Sequence, residues 1–538
     1  MGRINYRSLN VLILFIGIAI ICSFGLNTVS AVDTSTVYVN THGNDNYDGL
    51  SAVYNSTSGS GPKATIKNAT KTVLTNGTIY ISKGIYNENG ITINNNMKLI
   101  GESQKNTIIN GSMSGSIFSI TDANVSLLNL TLTNSSGSIG AIVITGNLTV
   151  DNCTFTKNNG TYGGAICSQG TVTINNSILT DNSGTYGGVI YNHLGTITLN
   201  NSILTDNSGT YGGAIYNENG NLTVTNSTLQ NNIATSAGGA IYNYIGILTL
   251  TNSTLTNNTS YLGGAISSYM GTITVTNCTL QNNTATNAGG AIFDSGAQLT
   301  ITNSTLTNNT AAYAGAIYQE NGTLSINFNR IVGNSASDNC IIYCYGGTAD
   351  ANNNWWGSNK DPSANLIGVT VTSWLVLTIN TNPHTISNKN NSTVTVDMTH
   401  DQNGNYHDPN LGCVPDDIPV NFTSTNGNIN STSTSLINGQ ATVIFTANTI
   451  GIGNITANVD DQTVDTPIKI LNGHIYVSPT GSDITGDGSQ SNPFKTIKTG
   501  VDHLDDYGIL YIADGNYYEN GLSLNKNVKI LEKAKKIP

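Results

Sequence analysis

The sequence predicts an all-β chain: a right-handed parallel β-helix solenoid, then a β-sandwich domain, then the start of a second β-helix. Three observations carry this reading. A Gly-Gly-(Ala/Val)-Ile block recurs at Gly163, Gly187, Gly212, Gly238, Gly263 and Gly289, and as Ala-Gly-Ala-Ile at Ala314, at intervals of 24, 25, 26, 25, 26 and 25 residues. A second marker, Asn-(Ser/Cys)-(Thr/Ile)-(Leu/Phe), keeps step at Asn152, Asn176, Asn201, Asn226, Asn252, Asn277 and Asn303. Within one copy apolar residues alternate with polar ones, as in Leu222 and Val224, and no window shows the 3.6-residue period of a helix. Two markers in register make a structural repeat in which each copy is one coil.

The short β-runs are interrupted by Asn, Gly and Ser clusters every six to eight residues, which fits three strands and three turns per coil. A single coil buries too few aliphatic side chains to offset the ordering of its backbone, so only stacking makes it stable. Stacked coils sit about 4.8 Å apart and bring equivalent residues on top of one another. That geometry gives the columns a structural meaning. The pairs Gly163 and Gly164, Gly187 and Gly188, Gly212 and Gly213, Gly238 and Gly239, Gly263 and Gly264, and Gly289 and Gly290 mark places of positive φ or of collision with the next rung. Asn176, Asn201, Asn226, Asn252, Asn277 and Asn303, with a further Asn three residues beyond each Leu, suit turns whose amides bond from coil to coil. Charged residues are only 9% of the chain, as expected where any repeated charge would meet its own copy one rung away.

The N-terminus joins a basic start, Arg3 and Arg7, to an apolar run of about fifteen residues, short of the roughly 20 a spanning helix needs. With Val29 and Ala31 it reads as a secretory signal, residues 1–31, cleaved after Ala31, and the mature chain is expected to have no membrane span. A net charge of −11 without a basic cluster beyond the leader argues against nucleic acid as a partner. Six cysteines remain after Cys22 leaves with the signal, and they show neither CxxC nor a disulfide-scaffold spacing. Cys340 and Cys344 are the close pair and Cys413 stands apart.

The repeat resembles the polymorphic outer membrane protein repeat of bacterial surface proteins, whose marks are GGAI and a later FxxN. The second mark stands here as "FTKN" at 155–158 and elsewhere as "LTDN", "LQNN" or "LTNN". The array is also similar to adhesin-like proteins of methanogenic archaea, Asn/Thr-rich β-helices with an ending like "NNNWWGSNKDPS", here 352–363. These resemblances imply a secreted or cell-surface protein. The β-helix is expected over 32–374, with a leading segment at 36–102, repeats at about 129–334, and Trp355 and Trp356 plugging the open end.

Residues 375–471 lose the repeat and gain alternating runs such as "STVTVDM" and "ATVIFTA". The stretch 418–460 resembles the invasin/intimin-type bacterial Ig-like domain, which implies a spacer. Residues 474–533 repeat the leading segment: Tyr38, Gly43, Tyr80, Gly84, Tyr86 and Gly90 match Tyr476, Gly481, Tyr511, Gly515, Tyr517 and Gly521. Each copy predicts a strand, a capping helix (about Thr65 to Leu74 and Thr496 to Leu504) and a first coil. Because one coil cannot stand alone, 472–538 reads as the truncated start of a second β-helix whose continuation held an anchor.

Parallel β-helices include polysaccharide lyases and glycoside hydrolases, so the acidic residues matter. The coils carry Asp151, Asp181, Asp206, Glu218, Asp294 and Glu320. Asp181 and Asp206 share a repeat position in adjacent coils, roughly 5 Å apart, where they read as solvated turn residues or a weak Ca²⁺ site. His193 has no aligned partner and reads as a surface residue. No catalytic residue, zinc signature or phosphate loop is identified, and no cofactor is expected beyond that possible Ca²⁺. The remaining feature is aromatic: Tyr191, Tyr216, Tyr242, then Ser267, Phe293 and Tyr318 follow the glycine block directly. With Ile inward, alternation sends these rings outward, to stack on glycans or partner-cell surfaces or simply on one another. The leading expectation is a non-catalytic adhesin-like protein; a β-helix carbohydrate-active enzyme and a purely structural envelope protein are the alternatives.

Overall fold

The computed structural model describes residues 34–532, so the expected leader, 1–31, lies outside the described residues. The repeats stack into a parallel β-solenoid of about eleven turns, as the period predicts. Sheet 1 has 13 strands, from Thr36–Val39 to Thr348–Asp350; sheet 2 has 12, from Ile91–Ile93 to Leu366–Ile367; sheet 3 has 11, from Gly84–Asn87 to Arg330–Val332. Register is kept residue for residue: Ile215 lies opposite Ile241, Leu222 opposite Leu248, and Leu229 opposite Leu255. One coil thus gives Ala214, Ile215, Leu222, Val224 and Leu229 to a single continuous core.

The expectation of three strands per coil is corrected. Eight coils carry a fourth strand, from Asn159–Tyr162 to Ser335–Ala336, forming sheet 4. Strands such as Ser208–Tyr211 present no buried side chain, so they lack the apolar alternation that marks a strand in sequence. They exist because the rungs above and below pair with them.

The two glycines of each block do different work. Gly212 has φ +67° at the corner between sheets 4 and 2, a conformation that penalises any Cβ. At Gly213 the backbone is ordinary, but a Cβ would stand 2.1 Å from the Gly239 carbonyl oxygen of the next coil. The columns of asparagine are likewise of two kinds. Asn176, Asn201, Asn226, Asn252, Asn277 and Asn303 hold φ between 49° and 52° at the corner of sheets 1 and 3, where Asn tolerates the left-handed region better than other side chains. The Asn three residues beyond the Leu is the buried one. Asn232 Nδ2 donates to Asn258 Oδ1 (3.0 Å) and to the Leu204 carbonyl (2.9 Å), and its Oδ1 accepts from the Asn207 backbone N–H (3.2 Å) and from Asn207 Nδ2 (3.0 Å). The same pattern runs through Asn182, Asn207, Asn258, Asn283 and Asn309. A serine column beside it passes backbone N–H to hydroxyl, as from Ser202 to Ser227 Oγ (3.1 Å). In these two columns the buried polar side chains are thereby satisfied by the neighbouring coils.

At the far end the two tryptophans point in different directions. Trp356 packs against the solenoid core. Trp355 is fully buried in the core of the following module, and its indole Nε1 donates to Asp460 Oδ2 (2.7 Å). Arg330 Nε donates to the same carboxylate (3.0 Å), and Phe328 meets the His407 ring edge-on at 5.6 Å. Trp355, expected over the open end of the solenoid, thus belongs to the core of the next module instead, while its neighbour Trp356 turns toward the solenoid.

That module sets a four-stranded antiparallel sheet, including Leu375–Asn382, Asn391–Asp401 and Gln440–Ala447, against a five-stranded sheet including Pro419–Ser424, Gly451–Val459 and Gln462–Leu471. The two share a core around Val394, Phe422, Phe445 and Ile455. Beyond it the leading segment appears again, and the duplication is physical. Helix α1 (Ile66–Thr72) is capped by Thr65, and Glu88 accepts from the N–H groups of Ile66 (2.7 Å) and Lys67 (2.9 Å). Helix α2 (Ile497–His503) is capped by Thr496, and Glu519 accepts from Ile497 (2.6 Å) and Lys498 (2.9 Å). Carboxylates at both helix starts satisfy otherwise unpaired donors. Burial of Glu88 raises its pKa, an effect opposed by those two N–H bonds.

Candidate functional site: an aromatic face on sheets 2 and 4

Sheet 2 places Tyr191, Tyr216, Tyr242, Ser267, Phe293, Tyr318 and Tyr343 in one outward column, each opposite the next. These rings are less open than alternation alone implies. Tyr216 is only 7% exposed, and Tyr191, Tyr242, Phe293 and Tyr318 are half-buried. The cause is a second file on sheet 4, Tyr162, Tyr186 and Tyr211, which folds over the first across the glycine corner. Its rings stack among themselves at 5.3 and 5.9 Å, and Tyr186 meets Tyr216 edge-on at 5.5 Å. Within the first file the spacings are 5.5 Å for Tyr191 to Tyr216 and 5.1 Å for Tyr216 to Tyr242. Such contacts add about 0.5–1.5 kcal/mol per pair beyond burial, so this half of the face is largely self-packed. Burial pushes the Tyr242 phenol up to about 12, and burial together with Glu218 raises those of Tyr191 and Tyr216.

His193 is not alone. One coil on, in register, stands Glu218: His193 Nδ1 lies 3.0 Å from Glu218 Oε2, and the Tyr191 hydroxyl donates to the same oxygen. This trio and the second tyrosine file escaped the sequence reading, although a 25-residue offset between His193 and Glu218 and the thrice-repeated "GTYGG" carried the signal.

Toward the C-terminal coils the face changes. The column of Tyr162, Tyr186 and Tyr211 continues as Ala237, Leu262 and Ala288 before Tyr313 restores a ring one coil on, so the positions beside Phe293 carry Leu262 and Ala288 in place of tyrosine. A groove of about 500 Å³ opens there, lined by Leu262, Ala288, Phe293, Tyr313, Tyr318 and Tyr343, with Glu320 and Asp338. Phe293, Tyr318 and Tyr343 form a stack with centroids 5.5 and 4.9 Å apart and planes within 10° and 6°.

Asp181 and Asp206 occupy the left-handed turn position, φ +57° in both, taken by Asn231, Asn257 and Asn282 in later coils. Each is exposed and bonded to its preceding threonine, Asp181 to Thr180 (3.2 Å) and Asp206 to Thr205 (2.9 Å). Among the described residues no three His, Cys, Asp or Glu groups stand close enough together to hold a metal ion. Asp294 is a different carboxyl: it takes the place of Asn in the buried column Asn192, Asn217, Asn243, with Gln319 Nε2 (3.2 Å) and the Ala297 N–H (3.2 Å) as partners. Burial pushes its pKa up to about 6. Cys340 and Cys344 are both free thiols.

The fold is a parallel β-helix, and its repeats are similar to those of polymorphic membrane proteins. Residues 226–244 and 277–295 match the Chlamydia polymorphic membrane protein repeat. No curated protein matches the chain. Among solved structures it is similar to the mannuronan C-5 epimerase A-module of Azotobacter vinelandii, at 14% identity over 55% of this chain and 88% of that one, TM-score 0.29. It is also similar to a mannuronic acid-specific polysaccharide family 6 lyase from human gut microbiota, at 9% identity over 55% and 86%, TM-score 0.29. A rhamnogalacturonan lyase matches at 13% identity over 62% and 85%, TM-score 0.21. At these identities and scores the neighbours assign no chemistry to this chain. Among the described residues no helix is long and apolar enough to cross a membrane.

Proposed function

We propose that the chain is a non-catalytic, adhesin-like protein of the cell surface, of the kind found in methanogenic archaea, exported by its N-terminal signal. In this reading the β-helix displays a binding face for glycans or partner cells, and the two-sheet module, an Ig-like domain, spaces it from the next β-helix. The observation that carries the proposal is the open aromatic stack of Phe293, Tyr318 and Tyr343, flanked in its groove by Asn287, the Tyr313 ring and the carboxylates of Glu320 and Asp338. Flat rings flanked by amides and hydroxyls offer a sugar both an apolar face and hydrogen-bonding partners.

Glycoside hydrolysis calls for two carboxyl groups roughly 5 to 9.5 Å apart. Glu218 and Glu320 share one outward column but are four rungs apart, roughly 19 Å at about 4.8 Å per rung. Asp338, which shares the groove with Glu320, is engaged by the Cys340 N–H (3.0 Å). Asp181 and Asp206 are read as solvated turn residues or an adventitious Ca²⁺ site. The proposal is tested by glycan-array and whole-cell binding of the full chain, with a polysaccharide-degradation assay in parallel. Binding without degradation supports it; Ca²⁺-dependent cleavage would favour the enzyme, and self-assembly with no binding would favour a structural envelope protein.

A further inference from the structure

We propose that the groove over Phe293 is a subsite for a polysaccharide bearing free amines, such as a glucosamine polymer; the inference rests on the binding-face reading above and gives it a location and a ligand chemistry. The groove exists because one column loses its rings over three coils. Where Tyr162, Tyr186 and Tyr211 fill the corner, the file of sheet 2 is covered; where Ala288 takes that place, about 500 Å³ is left open above the ring of Phe293. The floor is a ladder of three near-parallel rings spanning two rung spacings along the solenoid axis. Such a floor suits a ribbon-shaped polymer running along the axis. Tyr313, 54% exposed, forms one wall.

The charge of the walls selects among sugars. Glu320 and Asp338 both line the groove, and among the described residues neither has a Lys, Arg or His within ion-pair distance. Arg330, which follows in the chain, is committed to Asp460. An uronate polymer would meet two uncompensated carboxylates there, whereas an ammonium group would be attracted both to them and to the ring faces. The net charge of −11 favours the approach of a polycation.

Calorimetric titration of the full-length protein with glucosamine oligosaccharides and with their N-acetylated counterparts tests the proposal. The amine form is expected to bind at least tenfold more tightly, to weaken with salt, and to lose at least tenfold on Glu320→Gln. Ala288→Tyr, which places a ring at the position that Tyr211 fills three coils before and Tyr313 one coil on, is expected to abolish binding while a thermal melt shows the fold retained. Equal affinity for the N-acetylated form, full affinity in both variants, or tighter binding of an oligolysine peptide would overturn the subsite. Neutral glycans that bind irrespective of the groove variants would overturn the subsite yet leave the binding-face reading standing; an absence of any glycan or cell binding removes both.

Discussion

Replacing Asn232 with alanine separates the two kinds of asparagine column most sharply. The side chain supplies an acceptor to the Asn207 backbone N–H, which lies at the corner outside the ladder, and a second donor to the Leu204 carbonyl, which the strand pairing with Leu229 already engages. It also bridges Asn207 and Asn258, but those amides keep bonds to the Leu179 and Leu229 carbonyls (2.9 Å each). The substitution therefore strands one buried backbone group, the Asn207 N–H, in full. At about 1–3 kcal/mol for an unsatisfied group, with the lost amide-to-amide bonds adding to it, the cost is roughly 2–3 kcal/mol. The neighbouring turn residue Asn226 has φ +49° and its change to alanine loses mainly left-handed tolerance, about 1 kcal/mol. Because a solenoid can open locally, amide hydrogen exchange of the coils at 200–260 is the appropriate assay, with urea unfolding alongside. Asn232→Ala should lower protection on both flanking coils more than Asn226→Ala. Equal effects, or a larger one at Asn226, would refute the assignment of the buried ladder as the main polar support.

Three further outcomes follow from the same geometry. Asp294, raised from 3.8 to about 6 by burial, binds its proton more tightly folded than unfolded. Its stabilising contribution is present below pH about 4 and is lost as pH rises through about 6, a loss of order 3 kcal/mol. Asp294→Asn, which restores the residue of Asn217 and Asn243, should therefore raise the melting temperature at pH 7 and not at pH 4, and a pH-independent difference would contradict the account. Gly239→Ala puts a Cβ 2.0 Å from the Gly264 carbonyl oxygen and should cost about 3 kcal/mol or more by forcing two rungs apart, read as a lower urea midpoint. Asp460→Ala removes the shared partner of Arg330 and Trp355, and limited proteolysis should then cut between 357 and 375 faster than in the parent; unchanged cleavage would show that the junction stands without it.

How much of this was legible in the sequence depended on whether a residue's role is repeated and apolar. The inward Ile215, Leu222, Val224 and Leu229 recur at fixed spacing, so the coil and its register could be read directly. The fourth strand could not, because Ser208–Tyr211 buries no side chain and shows no apolar alternation, being held by backbone pairing and by the stacking of Tyr211 on its neighbours. The aromatic column was visible as a column, but its exposure was not: Tyr216 is covered by Tyr186, which lies 30 residues earlier on another sheet. The same blindness hid the groove, which depends on Ala288 occupying the place that Tyr211 holds three coils before. His193 looked solitary because its partner, Glu218, comes from the next coil rather than from its own turn. Trp355 was read as a plug since nothing in the repeat announces that Asp460, 105 residues on, receives its indole.

The central claim is that the open part of the aromatic face receives a glycan. Hydrogen–deuterium exchange of the intact protein, with and without the strongest glycan found on the array, tests it most directly. Protection confined to 285–293, 313–320 and 338–345 is the predicted result. Protection mapping instead to the two-sheet module at 375–471, or to no part of sheets 2 and 4, would contradict it.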